Sequence, residues 1–230
     1  MTVTVVNMIP KALSGETNQD SEPNLAVNPN NPLQIAATAF TPNPSGGSLA
    51  PIFISQDGGR AWALNPIVPG AAGFPTADIT AKFGGTSNVF YSGILRADNL
   101  DLNILRTPNF TAAGQMTVLV NRASEDQPWI QATTATNVAG SPDRVYVGNN
   151  DFNTGPRTAT IDFSLNAATA PAPAGFAPLT TERRTPGVGQ DGPSIRPVIH
   201  ASGRVYAAYF DWISNFPLIN VDVVVCRDDN

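Results

Sequence analysis

Four stretches of this 230-residue chain open alike: Glu22-Pro-Asn-Leu25, Thr76-Ala-Asp-Ile79, Gln127-Pro-Trp-Ile130 and Gly192-Pro-Ser-Ile195. Aligned on their last residues, they stand 54 residues apart (25 to 79), 51 apart (79 to 130) and 65 apart (130 to 195). A repeat of that period is a unit that cannot bury its apolar face alone and must stack on its neighbours. The same order of short segments recurs inside each unit. A first strand follows the opening, then comes a turn at 28–32, 84–87, 139–142 or 201–203. Second strands are predicted at 33–40, 88–95, 144–150 and 204–210, and third strands at 51–55, 102–106, 159–165 and 221–227. Fourth strands are predicted at 61–68, 115–120 and 176–181. With 19 Gly, 21 Pro and 13% charged residues, the chain suits many turns and no long helix. Short strands in serial four-stranded units predict an all-β fold, a β-propeller. Other all-β folds give no reason for the repeat. The expected blades are 21–68, 76–122, 126–184 and 191–230, the last with three strands, and an extra N-terminal strand is expected at 3–8. Leu25, Ile79, Ile130 and Ile195 should then lie on innermost strands.

Between the third and fourth strands of the first unit lies Ser55-Gln-Asp57-Gly-Gly59-Arg-Ala-Trp62, which fits S-x-D-x-G-x-x-W. Asp57 is placed to accept hydrogen bonds from the turn backbone, and the glycines allow positive φ. Ser55 should tie the turn to its strand, and Trp62 should bury its ring between sheets. The pattern resembles the Asp-box of sialidase-like (BNR) repeat proteins. SEPNLAVNPNNP, EDQPWIQA and DGPSIRPVIHASGRVYAAY are also similar to segments of bacterial members of that family. The resemblance implies a sialidase-like propeller of six or seven blades, with about four in this chain as its N-terminal portion. It also implies completion by a C-terminal companion segment or another chain. Ser55, Asp57, Gly59 and Trp62 would be structural.

Sialidases of this family hold the substrate carboxylate with three arginines, the first in an Arg-Ile-Pro string. Here the matching string is Met8-Ile9-Pro10, and methionine cannot donate to a carboxylate. No exo-sialidase activity is therefore expected of this chain alone. The family's Tyr–Glu pair has no counterpart that can be placed. Arg96, Arg122 and Arg196 are the candidates for another arginine cluster.

In a meander, loops fall on two faces, and the resemblance puts a site opposite the Asp-box turn. That face collects Asp20, Glu22, Asp78, Asp126 and Asp191 at unit openings, and Asp98, Asp101, Asp151 and Asp211 in second-to-third loops. These are nine of the chain's 18 acids. As caps they would accept backbone hydrogen bonds. As a sugar or polyol site, the ligand residues would be Glu22, Asp78, Asp126, Asp151, Asp191, Arg196, Asp211 and Trp212. Trp212 is expected to be the exposed ring and Trp129 a core ring. As a calcium site, the oxygens would be those of Asn149, Asn150, Asp151 and Asn153. No other cofactor is expected. Three functions follow: a module binding glycan or protein through the acidic face, a glycoside hydrolase completed by C-terminal blades, or a structural subunit of a larger assembly.

Other classes are disfavoured. Net charge is −5 with two lysines, Lys11 and Lys82, which does not suit nucleic acid. No 18-residue apolar run predicts a membrane span. MTVTVVNMIPKAL lacks the pattern of a signal peptide, so a secreted or cell-surface setting would need another signal. One histidine, His200, and one cysteine, Cys226, do not make a zinc site, a Cys–His nucleophile or an internal disulfide.

Overall fold

The structure is a computed structural model and describes residues 3–8, 21–40, 52–70, 76–96, 100–136, 140, 142–153, 158–169, 175–182, 193–200, 202–214 and 217–228. It is all-β, and the described residues contain no helix. The first sheet is β1 (Ser21–Val27), β2 (Ile35–Phe40), β3 (Ile52–Ser55) and β4 (Ala63–Leu64). The second is β5 (Thr76–Phe83), β6 (Phe90–Arg96), β7 (Asp101–Thr107) and β8 (Thr117–Arg122). The third is β9 (Glu125–Thr134), β10 (Asp143–Asp151), β11 (Thr158–Ser164) and β12 (Ala177–Glu182). The fourth has three strands, β13 (Arg196–Ile199), β14 (Val205–Ser214) and β15 (Asn220–Asp228). All four are antiparallel meanders, with each strand paired only to its chain neighbours.

The sheets stack in chain order. β1 and β2 pack on β5, β5 and β6 on β9, and β9 and β10 on β13. Three apolar layers fill the gaps. Ala26, Ile52 and Ile54 meet Ile79, Phe83 and Phe90 in the first. Leu102 and Ile104 meet Ile130, Val145 and Val147 in the second. Tyr146 and Ile161 meet Ile195, Val205 and Ala207 in the third. A sheet covered on both faces needs continuous apolar strands, and every residue of β6, FYSGILR, is buried. Polar side chains also stitch neighbouring first strands. The Ala81 amide donates to Asn24 Oδ1 at 3.0 Å, and the Ile130 amide to Thr80 Oγ1 at 3.1 Å. Gly148 has no room for a side chain, since a Cβ there would lie 1.8 Å from the Ile195 carbonyl oxygen. The lead into the fourth sheet rests directly on β10.

Among the described residues, no such cover lies on the outer faces of the end sheets. Leu25 and Val27 of β1 are 52% and 45% exposed, and Val223 and Val225 of β15 are 68% and 65% exposed. Ile79, Ile130 and Ile195 are buried where Leu25 is not.

The turn at 55–62 forms as its residues require. Asp57 Oδ1 accepts from the Arg60 and Ala61 amides at 3.0 Å each, and from the Ser55 hydroxyl at 2.8 Å. These bonds hold the Asp57 carboxyl below its usual range, the Ala61 amide contributing most. Gly58 and Gly59 take φ of 76° and 86°. Trp62 differs from expectation. It is half-buried, and its indole N–H donates to Gly59 of its own turn at 3.0 Å.

Two further differences concern the strands. Residues 3–8 form no strand, and Val3 and Val5 stand 78% and 91% exposed. Ile195 lies just before β13 and not within it.

Candidate functional site

The site begins with a repeated irregularity. In β1, Glu22 and Pro23 stand between Ser21, paired with Phe40, and Asn24, paired with Thr38. In β5, Ala77 and Asp78 stand between Thr76, paired with Arg96, and Ile79, paired with Ile94. In β9, Gln127 and Pro128 stand between Asp126, paired with Asn150, and Trp129, paired with Gly148. Each is a bulge of two residues against one, which bends the strand and re-aims its side chains. Proline cannot donate to the ladder, which explains the bulges at Pro23 and Pro128. Glu22 and Gln127 both take φ of 51°, rare for residues with a side chain. Counted from the bulge, Ile79 matches Asn24 and Trp129, not Leu25 and Ile130. The second sheet is one residue out of the sequence frame, and its bulge has Asp78 where the other two have proline.

The three bulges open onto one cavity of about 300 Å³. Glu22, Asp78 and Gln127 line it together with Trp129, Ser194 and Arg196. The Glu22 and Asp78 carboxyls lie within hydrogen-bonding reach of each other. Asp78 is pushed up to about 7, first by burial, then by the Glu22 bond and charge, then by the charge of Asp126; the Gln127 amide pulls the other way. The Arg196 guanidinium lies over the Trp129 ring, 4.1 Å from its centroid.

A second acid cluster lies elsewhere and is closed. Arg122, at the end of β8, reaches Asp151 Oδ2 at 3.0 Å and Asp162 Oδ2 at 2.5 Å, and also pairs with Glu125. Asn149 donates to Asp162 at 2.8 Å and Asn153 to Glu125 at 2.9 Å. Of the oxygens considered for calcium, those of Asn149 and Asp151 face this guanidinium, while Asn150 donates to Gln127 and Asn153 to Glu125. Among the described residues, no trio of His, Cys, Asp or Glu is arranged to hold a metal ion. Burial pushes Glu125 up to about 9, against the pull of Arg122 and with the added repulsion of Asp151 and Asp162. Asp162 is also raised by burial, despite Arg122. A third acid, Asp143, accepts from Ser87, Tyr91 and Thr134 at 2.6 Å each and ties the second sheet to the third.

The predicted site residues therefore separate. Glu22, Asp78 and Arg196 line the cavity, and the Asp126 charge acts on Asp78. Asp151 belongs to the Arg122 cluster. Asp211 pairs with Asp222 on the last sheet. Trp212 is half-buried against Phe210, so Trp129 and not Trp212 is the ring of the cavity. Asp20, Asp98 and Asp191 lie outside the described residues. The three arginines have separate partners. Arg96 donates to Asn103 at 2.9 Å and to the Pro69 carbonyl, Arg122 holds carboxylates, and Arg196 covers Trp129.

Sequence reasoning missed Glu125, Asp162, Gln127 and Ser194. Asp162 carried a usable signal, since an acid inside the apolar strand TATIDFS demands a buried partner.

Among the described residues, no helix is long and apolar enough to cross a membrane. Compared with known proteins, the chain matches no family model and no curated protein.

Proposed function

We propose that the chain forms sialidase-like β-propeller blades that bind glycan through the acidic face where its first strands begin. The observation that carries this is the cavity into which the bulged starts of β1, β5 and β9 turn Glu22, Asp78 and Gln127 beside Trp129. Carboxyl groups grip sugar hydroxyls, and an indole supports the C–H face of a ring. The stacked four-stranded units and the hydrogen-bonded turn at Ser55–Trp62 support the propeller and Asp-box assignments.

Binding is favoured over hydrolysis at this pair of acids. Glycosidase carboxyls stand about 5–9.5 Å apart to admit a sugar carbon or a water. Glu22 and Asp78 touch. The test is a titration of the purified chain with a panel of neutral, amino and acidic sugars, followed by the indole NMR signals. The Trp129 signal should shift with at least one sugar, and Trp129→Ala should abolish binding. No shift with any sugar would remove the glycan reading.

A second reading, a subunit completed by further sheets, is favoured by the exposed apolar rows. Leu25 and Val27 on one end and Val223 and Val225 on the other occupy faces that inner sheets cover with a neighbour. Exposed rows of this kind mark association surfaces. Light scattering should show self-association of the isolated chain, reversed by lysine at Val223 and Val225. A monodisperse 24.2 kDa monomer at high concentration contradicts it.

A further inference from the structure

The first three sheets each receive the next sheet at matching positions. Thr38, Gly93 and Gly148 lie on the second strands, and each pairs with an isoleucine of the third strand, Ile52, Ile104 or Ile161. The start of the following sheet rests on each of them. The Thr38 hydroxyl donates to the Ile79 carbonyl at 2.9 Å, a Cβ at Gly93 would meet Pro128 at 3.4 Å, and one at Gly148 would strike the Ile195 carbonyl. A short side chain or none is needed there, because a neighbouring backbone presses on the strand. Tyr91 and Tyr146 stand two residues before Gly93 and Gly148 and are buried in the second and third layers.

The fourth sheet repeats this receiving face, and among the described residues no fifth sheet lies on it. Ala208 pairs with Val225, and Tyr206 stands two residues before Ala208. Ala208 and Val225 are exposed, whereas Ile52, Ile104 and Ile161 are buried. A groove of about 160 Å³ opens there, lined by Pro193, Ala208, Phe210 and Val223. The other half of the contact is exposed at the opposite end of the stack. Asn24, Thr80 and Trp129 are the first-strand residues paired with Thr38, Gly93 and Gly148. Counted from them, Leu25 matches Ala81 and Ile130, and Val27 matches Phe83 and Ala132, all four of which pack towards the preceding sheet. Pro23 matches Pro128, which meets Gly93. Pro23, Leu25 and Val27 are all exposed.

We propose that the chain associates head to tail with a second copy of itself, β1 of one copy lying over the outer face of the fourth sheet of the other, with Pro23 in the groove at Ala208. The inference rests on the second reading above and names the partner and both surfaces. Continuity identifies the occupant. The two exposed faces are the two halves of a contact that the chain makes three times within itself, between its first and second, second and third, and third and fourth sheets. Contact between unlike faces is heterologous, so each copy contributes a different surface to it. Burial of Leu25, Val27, Val223 and Val225 drives it.

Light scattering on the 230-residue chain and two variants tests this. Leu25→Lys blocks the face of β1, and Val225→Lys blocks the face of the fourth sheet. Both positions are more than half exposed, so both variants should fold. The unaltered chain should form particles of two or more chains, and each variant alone should be a 24.2 kDa monomer. An equimolar mixture of the two variants should form a particle of two chains, because each supplies the face that the other lacks. If either variant fails to fold, Val27→Lys and Ala208→Arg take their places with the same expected outcome. Association of the β1 variant alone overturns the proposal in favour of pairing between two fourth sheets. Association of the fourth-sheet variant alone overturns it in favour of pairing through β1. A mixture that stays monomeric while the unaltered chain associates also overturns it. In these three cases the second reading stands. A monomeric unaltered chain overturns both and assigns the exposed face to a different protein.

Discussion

The two acid clusters use the same chemistry to opposite ends. Around Arg122, the carboxyls of Glu125, Asp151 and Asp162 are 0%, 3% and 2% exposed and converge on one guanidinium. That cluster joins β8 to β9, β10 and β11 and is internally satisfied. At the cavity, Asp78 meets Glu22 and the Gln127 amide, and no described cation pairs with it. The first arrangement holds two sheets together. The second keeps two acids at an opening, beside Trp129 and Arg196. A carboxyl cluster is thus informative only once its cation is known. Where the chain supplies the cation, the cluster is structural.

Removing the internal cation should give the largest effect. Arg122→Leu leaves three buried acids without a counter-charge and should cost about 3–5 kcal/mol in denaturant unfolding. A loss no greater than that of a surface substitution would erase the distinction between the clusters.

The next effect is on pH dependence. Asp78 and Glu125 are raised to about 7 and about 9, so the folded chain keeps protons that the unfolded chain has released. Their contribution is fully present below the unfolded carboxyl values, near 4, and is lost as pH rises through the folded values. Thermal melts should therefore fall steadily from pH 5 to pH 9. A melt that rises over that range contradicts both shifts. Asp78→Asn should flatten the lower part of the slope and leave the part set by Glu125.

At a fixed pH of 8, Glu22→Gln or Asp78→Asn should leave the melting temperature unchanged or slightly raised, because each relieves a like-charge contact. A large fall would mean that the cavity pair is structural after all. The smallest effect belongs to an acid outside both clusters. Asp57→Ala removes the acceptor of one exposed turn and should lower the melting temperature by a few degrees without changing ligand binding.

The sheet order was legible because strand periodicity and repeat spacing are local properties. The second and third strands form within a few residues of their predicted bounds, since apolar runs between turns have few other options. The one-residue displacement of Ile79 was hidden because a bulge without proline leaves no mark on the string. The site was only partly legible. Glu22 and Asp78 were found from their place at unit openings, where bulges turn side chains inward, and Arg196 was found as a candidate for an arginine cluster. Trp129, expected in the core, and Trp212, expected exposed, are both half-buried, because burial depends on the neighbouring sheet, which strand pattern alone does not reveal. Arg122 was read beside other arginines when its partners were acids, which are brought to it from β9, β10 and β11 by sheet stacking.

The most direct test is a carboxyl NMR titration of Asp78 in the folded chain. Burial first and Glu22 second predict a midpoint near 7 that moves down only part of the way in Glu22→Gln. A midpoint near the ordinary 3.8, indifferent to Glu22, would contradict the account of the cavity.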